Sequence, residues 1–354
     1  METGLDASPR RPRFFDTHCD TVMKVLDQGA DFVGGGGTGH VSLAGLLEAD
    51  VRAQVFACYV LSARHPGIER ERAEAMIRAI EAMAAGSGGR MRIARTGAEI
   101  SDAFNGGPIA AILGLEGADP LQGKAENFRR FAELGIRDLI FAWQDNPFSG
   151  TAFGTDTPLT PEGERLLGLT EELRVMVDVS HLSDRAFEDV ERAATRPYVA
   201  SHSNCRAVCP SPRNLTDPMI RALADRGGVM GINLSPFFLD PEYHRRCMPL
   251  FHAACRPGVS DDERRQLQAE AAALPRPSLD WVARHVCHAI EVGGEDCIGM
   301  GGDLDGTTYL PAGMETVADY PTFLPLLRDA GLNERQIEKF SCRNFLRVFT
   351  EVLS

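Results

Sequence analysis

Eight short runs of apolar, β-branched or aromatic residues recur along this chain of 354 residues, each followed by a turn and a longer amphipathic stretch. The runs are RFFDTH at 13, QVFACYV at 54, PIAAILGL at 108, RDLIFAW at 137, RVMVDVS at 174, PYVASH at 197, GVMGINL at 228 and CIGMGG at 297. Apolar runs without polar alternation are typical of strands buried on both faces of a parallel sheet. Eight of them, separated by helices, predict an α/β fold of the (β/α)8 TIM-barrel type.

The amphipathic stretches between the runs carry helix boundary signals. Ser183 and Thr216 precede acidic first turns and are predicted N-caps, whereas Gly135, Gly227 and Gly293 are predicted to follow their helices as C-caps. The last stretch, NERQIEKFSCRNFLRVFTEVL, has an apolar stripe and predicts a closing helix without a chemical role.

The length of the chain is compatible with a single barrel domain over 1–354. Residues 1–12 are polar and contain proline, so we expect a frayed lead-in. Residues 238–277 form an excursion after the seventh predicted strand that is much longer than an ordinary loop. On a barrel this insertion would rise over the face that carries the active site, where it is either a lid or an additional helical decoration.

Composition excludes several classes of partner. The formal net charge of −13 argues against nucleic acids and anionic membranes, because both require a basic surface. The chain has no run of about 18 apolar residues and no signal-like start. Its nine cysteines, an odd number, indicate reduced thiols. The sequence therefore predicts a cytoplasmic protein that acts on a small molecule, and it leaves a homodimer open.

Polar residues that follow the predicted strands are candidates for chemistry, because active sites of barrels are assembled at the carboxyl ends of strands. The first strand ends in His18 and Asp20, which a period of two directs to the same side. Cys19, between them, is expected to point away as an inert thiol. Glu116 ends the apolar run LGLE, where an isolated carboxylate is costly unless it is paired or bound to a metal.

Three further candidates come from later strands. His181 follows VDVS, His202 ends the sixth run, and Asp303 follows GMGG. A lone histidine at a strand end is more often a hydrogen-bonded packing residue than a ligand, and Asp178 or Asp20 could simply cap a turn. Five ligand-type side chains at the ends of four strands nevertheless favour a metal site, since neutral imidazole is the commonest ligand of transition metals.

The ordered set of motifs DTHCD, LGLEG, VDVSH, SHSN with PRN eleven residues on, GMGGDLDG and NFLRV resembles the membrane (renal) dipeptidase family, zinc peptidases of the amidohydrolase superfamily. The resemblance covers nearly the whole chain. It implies a metallo-dipeptidase with two Zn²⁺ ions per chain. Such an enzyme hydrolyses free dipeptides, including those with a C-terminal D-residue, through a metal-bridging hydroxide.

The resemblance also implies a metal-binding role for each candidate ligand. His18 and Asp20 would hold one zinc ion, His181 and His202 the other, and Glu116 would bridge the two ions. Glu116 thereby counts as a catalytic residue as well as a ligand.

Four residues are implied to contact the substrate. Arg213 would bind the C-terminal carboxylate, a pairing that suits the planar guanidinium. Asp303 would bind the substrate amino group and serve as the catalytic base and then acid. Trp143 stands where the family usually has a histidine that helps bind the carbonyl oxygen, and Asn146 is retained nearby.

Two alternatives to a dipeptidase remain at this point. Trp143 favours a zinc amidohydrolase that acts on an N-acyl amino acid or another small amide. The other alternative is a catalytically silent binding protein that keeps the barrel. The extracellular setting of mammalian members is not implied, so we expect a bacterial-type cytoplasmic enzyme.

Overall fold

A computed structural model describes residues 12–37, 39–256 and 258–354, so the predicted lead-in lies, as far as residue 11, outside the described residues. The strands are β1 Phe14–Cys19, β2 Val51–Tyr59, β3 Met91–Ile93, β4 Ile109–Glu116, β5 Ile136–Ile140, β6 Met176–Asp178, β7 Val199–Ala200, β8 Val229–Ile232 and β9 Ile298–Met300. Eight of these strands coincide with the predicted runs, and β3 is the strand that the sequence pattern does not predict.

The strands form a closed parallel barrel. Their order is β2, β1, β9, β8, β7, β6, β5, β4, and the additional pairing of β2 with β4 closes the ring. The remaining strand, β3, lies outside the ring and pairs with the first residues of β4, on the edge opposite β2. Further along β4, the same edge pairs with β5. The predicted (β/α)8 fold is confirmed, and it directs the carboxyl ends of all eight barrel strands to one face.

Helices connect the strands on the outside of the barrel. Their bounds are α1 Thr21–Gln28, α2 Leu43–Glu48, α3 Glu69–Gly86, α4 Gly97–Phe104, α5 Phe128–Leu134, α6 Pro161–Glu172, α7 Asp184–Ala193, α8 Asp217–Asp225, α9 Pro236–Leu239, α10 Pro241–Cys255, α11 Asp261–Ala272, α12 Asp280–Gly293, α13 Phe323–Asp329, α14 Glu334–Glu338 and α15 Asn344–Val352. A π-helical turn over Lys339–Arg343 joins α14 to α15. Within the described part of the chain, every helix is too short or too polar to cross a lipid bilayer.

The predicted N-caps are confirmed. The Ser183 hydroxyl accepts a hydrogen bond from the backbone N–H of Ala186 at 3.1 Å. The Thr216 hydroxyl accepts one from the N–H of Met219 at 3.4 Å. Each bond satisfies an N–H group that has no partner inside its own helix.

Two of the three predicted C-caps are wrong by one residue, because the C-cap of α8 is Arg226 rather than Gly227 and that of α12 is not Gly293. Gly135 caps α5 with a φ of 108°, and Gly227 follows the end of α8 with a φ of 76°. Gly293, however, is the last residue of α12, and Gly294 takes the C-cap position with a φ of 83°. Gly293 is a glycine for packing reasons, because a Cβ atom there would lie 2.7 Å from Cys297 Sγ.

The closing helix α15 seals the amino-terminal end of the barrel. Its Phe345 and Phe349 rings pack on Phe15 of β1, with centroids 6.0 and 5.1 Å apart. A Cβ atom on Gly299 of β9 would lie 2.4 Å from Phe345, so the glycine lets the ring enter the barrel. The apolar filling of this end leaves the opposite end for the polar side chains.

The insertion predicted over 238–277 follows β8, the seventh strand of the barrel, and contains α10, α11 and the end of α9. Helices α10 and α11 enclose a small apolar core of their own, formed by Tyr243, Cys247 and Ala271. At its start, the insertion is tied to the barrel because the backbone carbonyl of Phe238 accepts hydrogen bonds from the side-chain amides of Asn204 and Asn214. Its role as a lid stays a prediction, as does the single-domain organisation of residues 1–354.

The buried His285 of α12 adds a second tie. Its Nδ1 atom accepts a hydrogen bond from the N–H of Cys205, which lies in the loop after β7. Its Nε2–H donates to the carbonyl of Leu239 at 2.9 Å. The loop after β7 and the beginning of the insertion are therefore fixed to the same helix.

Candidate active site

The five predicted metal ligands lie together at the carboxyl ends of four barrel strands. His18 is the penultimate residue of β1 and Asp20 directly follows that strand, while Glu116 is the last residue of β4. His181 comes three residues after β6, with a left-handed φ of 70°, and His202 comes two residues after β7. The four ligands other than His181 are buried, and the His181 side chain is largely so.

The two carboxylate oxygens of Glu116 face different imidazoles. Its Oε2 atom lies 3.4 Å from His18 Nε2. Its Oε1 atom lies 3.1 Å from His181 Nε2 and 3.8 Å from His202 Nε2. His181 Nε2 and His202 Nε2 are 2.9 Å apart. Glu116 therefore stands between one histidine on the β1 side and a pair of histidines on the other side.

Two buried ligand atoms have no hydrogen-bond partner among the described residues, namely His18 Nε2 and Asp20 Oδ1. Leaving such an atom unpaired costs about 1–3 kcal/mol, so native proteins usually supply a partner. Ligand atoms of His18, Glu116 and His202 lie within 4.8 Å of one another, as do those of His18, Asp20 and Asp303. Imidazole nitrogens and carboxylate oxygens are the donors that zinc binds, so these residues fit a metal site.

Burial sets the protonation of the ligands. It lowers the pKa of His181 to about 3 and that of His202 well below its usual value, which keeps both imidazoles in the neutral form that binds metals. Burial, reinforced by the charge of Glu116, raises the pKa of Asp20 to about 7. Burial alone would raise the pKa of Glu116 too, but the neighbouring histidines, His18 first, hold it well below its usual range.

His202 is oriented by a network of small polar residues that the sequence reasoning did not identify. Its Nδ1 atom lies 2.8 Å from the hydroxyl of Ser201, which leaves Nε2 for the site. Ser201 Oγ in turn lies 3.3 Å from the hydroxyl of Ser180. Asp178 accepts hydrogen bonds from the backbone N–H groups of Ser180 and Ser201. Asp178 therefore fixes the backbone after both β6 and β7, which agrees with a capping role.

Asp303 lies beside the ligands of β1 and is held by Asn233, a residue that the sequence analysis missed. Asn233 Nδ2 donates to Asp303 Oδ2 at 2.9 Å. Burial raises the pKa of Asp303 to about 6. A Cβ atom on Gly306 would lie 2.2 Å from Asp20 Oδ2 and 2.3 Å from Asp303 Oδ1, so only glycine allows this approach. A polar residue directly after the apolar run GVMGI was the available signal for Asn233.

Arg213 forms a buried cationic position next to the histidines. Its guanidinium donates to the Ser203 hydroxyl at 2.6 Å and to the His202 carbonyl at 2.9 Å. Its Nε atom has no partner in the part of the chain that the structure describes. Burial lowers the pKa of Arg213 to about 10, which still leaves the group charged at neutral pH. A buried guanidinium with an unused N–H group is suited to an anionic group.

Trp143 lies at the mouth of the site. Its ring centroid is 4.9 Å from that of Tyr59, the last residue of β2, and 6.0 Å from that of His181. The side chain is 37% exposed, which leaves part of the indole open to a bound molecule. Sequence reasoning missed Tyr59, because it lies inside the predicted run QVFACYV and the observed strand ends one residue before that run does.

The amide of Asn146 is engaged within its own loop. Its Nδ2 group donates to Asp119 and to the carbonyl of Phe141, and its Oδ1 atom accepts from the backbone N–H groups of Phe148 and Ser149. These four bonds use its whole hydrogen-bonding capacity. A substrate contact for Asn146 stays a prediction that this set of bonds does not favour.

Among the described residues, neither group of candidate metal-ligand atoms includes a cysteine. Cys19 is fully buried, and its pKa is raised well above the usual value by burial, so it behaves as an apolar core residue. Cys205 and Cys209 are also buried and free.

Comparisons with known proteins agree with this geometry. The profile of the membrane dipeptidase family (peptidase family M19) matches residues 9–354. An uncharacterized protein in the pqqA 5′ region of Klebsiella pneumoniae is 32% identical over 281 residues, which cover 77% of this chain and 93% of that protein. The crystal structure of a dipeptidase, a metallopeptidase of family M19, is similar with a TM-score of 0.83 and 28% identity over 97% of this chain and 99% of that chain. A metallopeptidase from Rhodobacter sphaeroides, liganded with a phosphinate mimic of the dipeptide L-Ala-D-Ala, has a TM-score of 0.81 and 27% identity over 97% of this chain and 100% of that chain.

Proposed function

The chain belongs to the membrane dipeptidase family, M19, and is a metallo-dipeptidase, and from this premise we propose that it binds two zinc ions and hydrolyses free dipeptides. His18 and Asp20 would hold one ion, His181 and His202 would hold the other, and Glu116 would bind both. The observation that carries this proposal is the division of the two Glu116 oxygens between the imidazoles on its two sides. When bound, such a pair of ions lowers the pKa of a water molecule and polarises the scissile carbonyl.

The buried Arg213 and the half-buried Asp303 bind and orient the substrate in this proposal. Arg213 binds the C-terminal carboxylate through its unused Nε–H and its charge. Asp303 binds the amino group, accepts the proton of the attacking water and returns it to the leaving amine. Burial raises the pKa of Asp303 above its usual range, which favours its acceptance of a proton. Asn233 keeps one oxygen of Asp303 occupied, so the other oxygen is directed to the reaction.

Acceptance of a C-terminal D-residue is part of the proposal. It is supported by the R. sphaeroides metallopeptidase, whose bound ligand mimics L-Ala-D-Ala. A second candidate substrate class, the N-acyl amino acids, is favoured by one observation. Trp143 places a partly exposed indole beside His181, where it can pack on an acyl group but offers no ionisable group.

The test combines metal analysis with a substrate panel. We expect about two zinc ions per purified, zinc-loaded chain and turnover of both L-Ala-L-Ala and L-Ala-D-Ala. Asp303→Asn should lower kcat by about 10²- to 10⁴-fold without loss of zinc, because it removes the proton acceptor and the charge facing the substrate amino group but none of the five proposed ligands. Asp225 is exposed, and Asp225→Asn makes the same change of charge away from the site. This control should keep the kcat and the zinc content of the wild type.

Unchanged hydrolysis in Asp303→Asn would contradict the proposed role of this residue. If the zinc-loaded protein hydrolyses N-acetylalanine but neither dipeptide, its substrates are N-acyl amino acids rather than free dipeptides. One bound zinc ion at saturation would refute the binuclear arrangement.

A further inference from the structure

Exposed aromatic side chains gather at the mouth of the site. Trp143 and Phe153 are 37% and 42% exposed, and both belong to the segment between β5 and α6. Phe238, at the start of the insertion, is half-buried and meets Phe153. Apolar surface that stays exposed next to a concave site often marks a binding surface.

Phe153 and Phe238 lie next to the buried arginine. Their rings stack with centroids 6.1 Å apart and an interplanar angle of 29°. The guanidinium carbon of Arg213 is 5.9 Å from the centroid of the Phe238 ring. The N–H of Ala152 donates to the carbonyl of His181 at 2.9 Å, so the backbone next to Phe153 is bonded to a proposed ligand residue. The Phe238 ring therefore adjoins the anion position, the Phe153 ring stacks on it, and the backbone before Phe153 is fixed to that of His181.

The loop that carries Phe153 is held in place by one carboxylate. Asp145 accepts hydrogen bonds from the backbone N–H and the hydroxyl of Thr151 and from the same two groups of Thr155, all at 2.7–2.9 Å. A Cβ atom on Gly154 would lie 2.0 Å from Asp145 Oδ1, so the loop wraps closely around this carboxylate. A ring that is already ordered loses little entropy when a ligand packs on it.

We propose that Phe153 and Phe238 form the subsite for the side chain of the C-terminal residue of the substrate and that they select large apolar or aromatic side chains. This inference rests on the proposed function, because it is Arg213 that fixes the C-terminal carboxylate. A side chain branches from the carbon next to that carboxylate, so it begins close to the Phe238 ring. Phe153 extends the same apolar surface toward solvent, where a phenyl group has room to stack.

The same surface disfavours charged C-terminal side chains. An aspartate side chain in this position would lose water against two phenyl rings without gaining a hydrogen bond from either ring. Arg213 does not compensate for this loss, because its charge already serves the main-chain carboxylate of the substrate. The subsite therefore ranks phenylalanine and leucine above alanine, and alanine above aspartate.

The test measures kcat/KM of the zinc-loaded full chain for L-Ala-L-Phe, L-Ala-L-Leu, L-Ala-L-Ala and L-Ala-L-Asp. In the wild type we expect kcat/KM for L-Ala-L-Phe to exceed that for L-Ala-L-Ala about tenfold or more, the range that an apolar pocket achieves. Phe153→Ala should reduce this ratio to within about threefold, whereas Phe153→Leu should retain part of it. Asp145→Ala, which releases the loop, should reduce the ratio as well.

Phe251→Ala is the matched control. Phe251 is 39% exposed and lies on α10 in the same insertion, and its ring contacts Phe237 rather than Phe153 or Arg213. This variant should keep the wild-type ratio. Zinc content and circular dichroism establish that each variant is folded.

The outcomes separate the inference from the proposed function. Wild-type turnover of all four dipeptides without preference would overturn the subsite and leave the dipeptidase intact. A wild-type ratio that survives in Phe153→Ala would do the same. Absence of turnover on every dipeptide would overturn the proposed function, and the subsite with it.

Discussion

Removal of the Ser201 hydroxyl tests whether His202 is held as a metal ligand through its Nε2 atom. Ser201 is fully buried, and its Oγ atom lies 2.8 Å from His202 Nδ1. Nδ1–H can therefore donate to this oxygen while Nε2 keeps its lone pair for the site. Ser201→Ala would leave the buried Nδ1–H without an acceptor and would release the ring from its orientation.

The expected magnitude follows from that single bond. An unsatisfied buried donor costs about 1–3 kcal/mol, which corresponds to roughly 5- to 150-fold in an equilibrium constant. Loss of the group that supports a metal-bound histidine typically costs about 10- to 100-fold in metal affinity. We therefore expect Ser201→Ala to weaken the binding of the zinc ion that we assign to His181 and His202 by about 10- to 100-fold. The Ser180 hydroxyl, 3.3 Å from the lost oxygen, also loses a neighbour.

Ser203 supplies the matched control on the other side of His202 in the chain. It is equally buried, but its hydroxyl accepts from Arg213 at 2.6 Å instead of contacting an imidazole. Ser203→Ala should keep the zinc affinity of the wild type. It should raise KM for a dipeptide about tenfold, because the guanidinium loses one of its two anchors.

Zinc affinity is measured by chelator competition on the metal-free proteins, and kinetics are measured at saturating zinc. Affinities that are equal in the wild type and Ser201→Ala would refute the reasoning. An equal loss of zinc affinity in both serine variants would also refute it, because it would indicate a general loosening of the loop after β7.

Three further predictions concern the same molecule. Gly306→Ala would place a Cβ atom 2.2 Å from Asp20 and 2.3 Å from Asp303, so we expect at least about 100-fold loss of kcat/KM and loss of zinc, measured by kinetics and metal analysis. Gly168→Ala, on an exposed helical position with nothing within 4 Å, should instead gain about 0.5–1 kcal/mol in the free energy of unfolding without a change in kcat/KM. Burial lowers the pKa of His285 from 6.5 to about 4, so its neutral form stabilises the fold above pH 6.5 and this contribution is lost as the pH falls toward 4. Between pH 7 and 4.5, the free energy of unfolding in urea should therefore drop about 2 kcal/mol more in the wild type than in His285→Gln, and equal drops would contradict this account.

The barrel could be predicted from the sequence because each of its eight strands is an apolar run of its own. β3 escaped prediction since it has three residues, and only Met91 of these is buried. The end of α12 was misplaced by one residue, because two glycines follow each other and only the packing against Cys297 shows that Gly293 is helical. Local patterns report whether a residue is buried, but not which residue of a distant segment requires the space.

The contrast between local patterns and contacts with distant segments also explains which parts of the site could be predicted. The proposed ligands lie at the ends of apolar runs or within two residues of them, so their position along a strand indicates them. Asn233 and Ser201 act by bonding Asp303 and His202, and no feature of their own segments specifies these partners. The meeting of Phe153 with a residue of the insertion depends on the path of two long connections, which no sequence period encodes.

The attachment of the insertion by backbone carbonyls has a consequence for how this enzyme can diverge. The carbonyls of Phe238 and Leu239 receive the hydrogen bonds of Asn204, Asn214 and His285, and a carbonyl is present whatever side chain the residue carries. Mutation can therefore exchange the ring at position 238 while the segment stays anchored. Natural variation, or a library randomised at this position, can therefore change the substrate preference without disturbing the barrel or the metal centre.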